Sequence, residues 1–223
     1  ARQDKKHKGR EPISARLISD LYKTAGADRL MCVDLHTSQI QGFFDGPLDH
    51  LFAIPVLAKH IRERVDDLSN VTVVSPDTGR VRVAEHWADL LGGAPLAFVH
   101  KTRDINVPNQ AVSKTVVGNI EGRTCVLIDD MIDTGGTIAG AVKVLMDKGA
   151  KEVIIAATHP VLSDPAAERL SQCGAVEVVV TNTLPVPEDK QFDNLTILSI
   201  APLIARAIRE VFDEGSVTEI FEH

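Results

Sequence analysis

A chain of 223 residues is long enough for one large domain, or for one domain with part of another. Its composition, 44% hydrophobic and 25% charged, supports a sizeable buried core. A net charge of −7 argues against nucleic acid or an anionic membrane as the main partner, yet leaves small anionic substrates open, since these need only local positive charge. Cys32, Cys125 and Cys173 share no metal-binding or redox spacing and read as reduced, buried thiols of a cytoplasmic protein. No apolar run approaches a membrane span, and there is no signal-peptide pattern.

The opening, ARQDKKHKGREP, is fully polar, lacks an initiator Met and reads like the middle of a protein. It is either a solvated tail or, through Arg2, Lys5, Lys6, Lys8 and Arg10, a loop suited to a triphosphate. From Pro12 a helix is predicted, with Ile13, Leu17, Ile18, Leu21 and Tyr22 on one face and a stop near Gly26. A strand over 29–33 then runs into DLHTSQIQGFFD, where His36 stands close to Asp34, Thr37 and Ser38 and suggests a metal or phosphate role. Phe43, Phe44, Leu48 and Leu51 serve packing or a subunit contact, and 47–55 reads as a connector.

A helix over 55–65 and a strand over 71–74 lead to the turn SPDTGR, a strand–loop–helix anion site with Arg80 and Arg82 for charge and Asp77 placed for a metal. The next helix carries Val83, Trp87, Leu90 and Leu91. A strand over 95–99 delivers His100, Lys101, Thr102, Arg103 and Asp104 into an aperiodic polar stretch that reads as a catalytic loop.

The centre of the chain is TCVLIDDMIDTGGT at 124–137. An apolar strand ends at Asp129 and Asp130; a polar turn, Asp133, Thr134, Gly135, Gly136 and Thr137, opens a helix with Ile138, Ala141, Val142, Leu145 and Met146 on one face. Converging backbone amides, a helix N-terminus and two glycines suit a phosphate, while paired carboxylates suit sugar hydroxyls or a metal. Strands over 153–157, 176–181 and 195–200 alternate with helices over 165–172 and 202–212, and the tail from Gly215 is expected to be peripheral. Alternating strands and helices predict an open parallel α/β sheet covered on both faces, with the loops at 75–80, 100–110 and 129–137 on its ligand-binding edge.

The 124–137 stretch resembles the phosphoribosyl diphosphate (PRPP) loop shared by type I phosphoribosyltransferases and PRPP synthetases, and alone does not choose between making PRPP and consuming it. RQDKK at 2–6, PISARL at 12–17, DLHTSQIQGFFD at 34–45, SPDTGR at 75–80, HKTR at 100–103 and VVVTNT at 178–183 complete a resemblance to the ribose-phosphate diphosphokinases, in that family's order. The resemblance implies a sheet of the type I phosphoribosyltransferase kind: residues 1–53 as the remnant of a similar N-terminal, ATP-side domain, 54–212 as a complete C-terminal domain, and 213–223 as a tail. It implies that the pyrophosphoryl group of ATP moves to the 1-hydroxyl of ribose 5-phosphate, giving PRPP and AMP for nucleotide biosynthesis.

Residue by residue, the resemblance implies that Arg2, Gln3 and His36 contact ATP and that His36 and Asp77 hold magnesium. Lys101 and Arg103 become the catalytic cations, and Asp77, Thr78, Gly79 and Arg80 the pyrophosphate loop. Arg103, Asp129, Asp130, Asp133, Thr134, Gly135, Gly136 and Thr137 bind ribose 5-phosphate; Ser38, Gln41, Ser216 and Thr218 mark a regulatory site for phosphate or ADP. A homohexamer built from dimers is implied, with neither nucleic acid nor membrane as partner. The sequence departs from the family at PDTGRVR, where many relatives have a second glycine and one more residue, and at His7, where several carry Asp. Relatives also carry most of a half-domain ahead of the residues matching Arg2, so these 223 residues alone are expected to expose apolar surface and to turn over weakly or not at all. The alternatives are a PRPP-using phosphoribosyltransferase, which would need a base-recognising hood, and a non-catalytic regulatory subunit, which would have lost its cations or metal ligands.

Overall fold

The computed structural model describes residues 3–6, 9–77, 81–102 and 113–221, with the backbone alone at 81, 101–102, 113–114, 219 and 221. The chain forms two units, one of 1–53 with 202–223 and the other of 54–201.

Among the described residues, the larger unit is built on seven strands. Five are β3 (Val71–Ser75), β4 (Leu96–Thr102), β5 (Ser113–Val117), β6 (Thr124–Ile132) and β7 (Glu152–Pro160); the last two are β8 (Glu177–Thr181) and β9 (Leu195–Leu198). They lie in the order β5-β4-β3-β6-β7-β8-β9, all parallel except β5, which pairs antiparallel with β4. Helices α2 (Ile54–Arg64), α3 (Val81–Leu90), α4 (Gly136–Asp147) and α5 (Ala166–Ser171) cover it. Parallel strands buried on both sides read as continuous apolar runs, and β3, VTVVS, is buried at every position. Alternation divides the core. Cys125, Leu127, Val153, Ile155, Val178 and Val180 meet Ile138, Ala141, Val142, Leu145 and Leu170 of α4 and α5. Val73, Val126, Ile154 and Val179, equally buried, face the side of α2 and α3.

The amino edge is tied by polar groups. Arg123 donates from Nε to Thr72 Oγ1 at 2.7 Å and from an Nη to the carbonyls of Ser69 and Val71, each at 2.8 Å. Glu177 accepts from Thr196 Oγ1 at 2.6 Å and faces His60 Nε2 at 2.9 Å, joining β8 to β9 and α2.

The smaller unit holds α1 (Ser14–Thr24), a two-stranded parallel sheet of β1 (Leu30–Val33) and β2 (Leu48–Leu51), and a 3-10 turn at Ser38–Phe43. The terminal helix α6 (Ala201–Phe212) and a last 3-10 turn, Thr218–Phe221, complete it. Arg29 grips Asp49 across the strands with two bonds of 2.6 and 2.9 Å.

The structure departs from expectation at several points. The supposed connector contains β2, because β1 supplies a parallel partner to its four residues. Residues 103–110 of the expected catalytic loop lie outside the described residues; beyond them an unexpected strand, β5, pairs antiparallel with β4 and sets Lys101 opposite Lys114. Helix α6, expected with the larger unit, belongs to the smaller, and the tail is not peripheral: Ile220 is buried with Leu51 and Ala207, against Leu203, Ile204 and Val217. On α1 the side chains turned inward are Ala15 and Ser19, and the predicted apolar face stays open, with Leu17 58% and Leu21 55% exposed.

Replacing Arg123 with alanine leaves three acceptors without their charged donor, one of them on buried Thr72. The expected loss is about 2 kcal/mol, a fall in melting temperature of roughly 4–8 °C for a domain of this size, measurable by circular dichroism.

Candidate active site

Strand order fixes where a ligand can bind. From β3 the chain moves outward to β4, then returns to place β6 on the other side of β3. Consecutive loops therefore diverge at the carboxyl ends of β3 and β6, and such a switch point opens the crevice in which α/β sheets bind ligands.

The β6 side is built around the two acids. They do not end the strand as expected but lie inside it, because β7 continues the ladder past them, pairing Asp129 with Ala157, Met131 with His159 and Ile132 with Pro160. The Asp129 carboxylate accepts from the amide of Asp130 at 2.8 Å, and Asp130 is buried, with 8% exposure. The turn follows at once. Gly135 has φ 71° and forms the N-cap of α4 without a side-chain cap, so the first-turn amides of α4 have no internal partner. A positive φ there favours glycine. Asp133 is half-buried, while Thr134, Gly136 and Thr137 are exposed.

On the β3 side, buried Ser75 donates from Oγ to the carbonyl of Asp77 at 2.5 Å, folding the turn and leaving the Asp77 side chain exposed. Thr78, Gly79, Arg80, Arg103 and Arg2 lie outside the described residues. Lys101 is placed by its backbone alone, near the end of β4 and opposite Lys114 of β5. Of the sequence-predicted residues, then, the larger unit brings Asp77 and the 129–137 stretch to neighbouring strand ends.

In the smaller unit His36 follows β1 in a loop held from three directions. Asp34, at φ 42°, accepts from the amide of Ala53 at 3.1 Å and donates its own to Leu51 at 2.9 Å. Leu35 donates its amide to His50 Nε2 at 2.9 Å. Asp4 accepts from Thr37 Oγ1 at 3.0 Å and Gln39 Nε2 at 2.6 Å. Burial pushes the Asp4 carboxyl up, but those bonds, its own backbone amide and the nearby His36 outweigh it and hold the group below the usual range. Gln3 bonds Ser14 and accepts from the Ala15 amide at 3.1 Å. Gln41 donates to the Ser38 carbonyl at 3.1 Å, and half-buried Ser216 and exposed Thr218 border the closing turn.

Several of these groups escaped the sequence reading. Asp4 and His50 act only through tertiary contacts. So do Thr181 and Thr183, which both donate to the Thr158 carbonyl, at 2.7 and 3.1 Å, with Thr183 Oγ1 2.9 Å from His159 Nδ1. The thiol of Cys125 is inert, pushed up to about 12 by burial and only partly offset by Arg123. Among the described residues no group of three or more His, Cys, Asp or Glu is arranged to hold a metal. None of the described helices is long and apolar enough to cross a membrane.

Paired carboxylates on one strand, with a glycine-opened helix behind them at a topological switch point, suit a sugar phosphate and a transferase that handles one. Comparison narrows this. Residues 95–222 match the family model described as phosphoribosyl synthetase-associated domain. The ribose-phosphate pyrophosphokinase of Mycobacterium tuberculosis is 70% identical over 222 residues, 100% of this chain and 68% of that protein. That of Bifidobacterium longum is 67% identical over 223 residues, 100% of this chain and 66% of its own length. The crystal structure of phosphoribosylpyrophosphate synthetase from Mycobacterium smegmatis superposes with a TM-score of 0.89 at 66% identity, covering 96% of this chain and 68% of that one. The chain belongs to the ribose-phosphate pyrophosphokinase family, and its larger unit is an open, mostly parallel sheet.

Because His50 accepts the Leu35 amide, its ring must be neutral. Burial lowers its pKa from the ordinary 6.5, against the pull of Asp34. The unfolded chain therefore binds a proton in acid that the folded one refuses. This stability is full above the unfolded pKa and is lost as pH falls below it. The denaturant midpoint should drop between about pH 7.5 and about pH 5.5, and His50→Asn should flatten that slope.

Proposed function

We propose that this site transfers the pyrophosphoryl group of ATP to the 1-hydroxyl of ribose 5-phosphate, forming PRPP and AMP. The observation that carries the reading is the uncapped first turn of α4 directly behind Asp129 and Asp130. One end of the stretch offers amide donors to the 5-phosphate, at Asp133, Thr134, Gly135, Gly136 and Thr137. The other offers carboxylate acceptors to the ribose hydroxyls. A phosphate could not rest against the acids, nor hydroxyls alone account for the helix terminus, so the stretch orients the sugar in one direction only.

With the sugar so fixed, its 1-hydroxyl oxygen forms a bond to the β-phosphorus, the bond from that phosphorus to the α-phosphate oxygen breaks, and AMP leaves as the hydroxyl proton departs. Charge spreads over the phosphoryl oxygens, so positioning and fixed positive charge account for most of the acceleration. Lys101 and Arg103 are the cations proposed to clamp the moving group, and Arg103 also serves the ribose phosphate. Arg2, Gln3 and His36 are the proposed ATP contacts, and Asp77, Thr78, Gly79 and Arg80 the pyrophosphate loop. The exposed Asp77 carboxylate is a hard oxygen donor suited to magnesium, which takes one or two protein ligands and fills its shell with water and phosphate oxygens; His36 is the second ligand proposed. Magnesium there would supply Lewis acidity toward the phosphates.

We further infer a cytoplasmic enzyme that works as a homo-oligomer, a hexamer built from dimers, with Ser38, Gln41, Ser216 and Thr218 as a site for phosphate or ADP. A two-unit reading, 1–53 with 202–223 for the ATP and 54–201 for the sugar, accompanies the proposal.

The test is a coupled measurement of both products from ribose 5-phosphate, ATP and magnesium. However slow the turnover, AMP and PRPP are expected in equimolar amounts, and Lys101→Ala should lower kcat on the order of 100-fold or more. ADP in place of AMP would contradict pyrophosphoryl transfer.

A further inference from the structure

Helix α5 stands beside the 133–137 loop and meets it at two places. Ala166 and Leu170 floor Gly135: a Cβ on that glycine would lie 3.5 Å from the Leu170 side chain and 3.6 Å from the Ala166 backbone. Arg169, on the same helix, donates from Nη1 to the Thr134 carbonyl at 3.0 Å. That Nη1 also lies 3.6 Å from where a Cβ on Gly136 would stand, so the guanidinium runs alongside the loop. The base from which it acts is firm. Leu162, Ala166 and Leu170 are buried in the core with Ile132 and Ile138. Ahead of the helix, Lys190 Nζ donates to the Leu162 carbonyl at 2.7 Å and lies 3.5 Å from Asp164.

We propose that Arg169 is a positioning residue for ribose 5-phosphate that acts through the Thr134–Gly135 peptide. The inference rests on the reading of 133–137 as the phosphate loop. In a trans peptide the C=O and N–H point in opposite directions. Fixing the Thr134 carbonyl toward α5 therefore turns the Gly135 amide away from α5. It also keeps a carbonyl oxygen, which would repel a phosphate, bound to a cation on the outside of the loop. Arg169 need not touch the ligand. Its bond is exposed, so water competes for both partners and the contribution to folding is small. The consequence falls on the dianion, which needs the amide direction and the nearby charge.

The experiment uses the active enzyme with Arg169→Met, which keeps the stem, Arg169→Lys, and Thr137→Val as a change in the loop itself. Ribose 5-phosphate affinity is read by calorimetry and as KM, together with the KM for ATP, kcat and the melting temperature. Arg169→Met should weaken ribose 5-phosphate on the order of tenfold, and Arg169→Lys should recover most of the loss. The KM for ATP and kcat should stay within about twofold, and the melting temperature should hold. Unchanged ribose 5-phosphate affinity in Arg169→Met, with Thr137→Val weakened, overturns the role of Arg169 and leaves the loop reading intact. An unaffected Thr137→Val overturns the loop reading beneath both. Parallel losses in kcat, both KM values and melting temperature would make Arg169 a structural residue, and the proposal would fail.

Discussion

The site depends on the parallel ladder between β6 and β7. Few arrangements keep two adjacent carboxylates fixed near the interior of a sheet. Here it is possible because β7 goes on pairing β6 as far as Pro160, so the backbone at Asp129 and Asp130 is committed to the sheet and not to a mobile turn. The loop then has only three residues, 133–135, in which to leave the strand and enter α4, and the positive φ at Gly135 makes that turn possible. Acids, amides and helix axis are thereby fixed together. The arrangement is preorganised, and preorganisation is the main resource of an enzyme whose reaction asks for charge placement and little covalent chemistry.

The smaller unit solves a similar problem with different means. Its sheet has two short strands and cannot by itself hold a long loop, so the His36 loop is tied from outside by Ala53, His50 and Asp4. Two of these ties end in a group that must keep one protonation state: a carboxylate at Asp4 and a neutral imidazole at His50. The loop is therefore more sensitive to acid than the 133–137 turn, which is held by strand pairing, apolar packing and a guanidinium. Helix α6 and the closing turn contribute the apolar cover, through Ala207 and Ile220 on Leu51.

Legibility in the sequence followed the range of the interaction. The acids, the glycines and the helix behind them carry their signal within fourteen consecutive residues, 124–137, and the strand–turn–helix geometry was readable there. The parallel sheet followed from alternating elements. Strand β2 was not readable, because four residues of mixed polarity become a strand only when β1 lies alongside. Strand β5, SKTVV, was hidden by two polar residues and a lysine that its partner β4 tolerates at a sheet edge. The membership of α6 was invisible for a further reason: an apolar helix face fits many cores, and chain order favoured the wrong one. Arg169 and His50 show no local pattern at all. Their roles exist only through a carbonyl and an amide brought to them by the fold.

The central claim is that the turn at 133–137 holds the phosphate of the sugar and the acids before it hold the ribose. A crystal structure with ribose 5-phosphate bound tests it most directly. The account predicts phosphate oxygens against the amides of Gly135, Gly136 and Thr137 and ribose hydroxyls on Asp129 and Asp130. A phosphate seated instead at the Asp77 turn, with the 133–137 amides facing solvent, would contradict it.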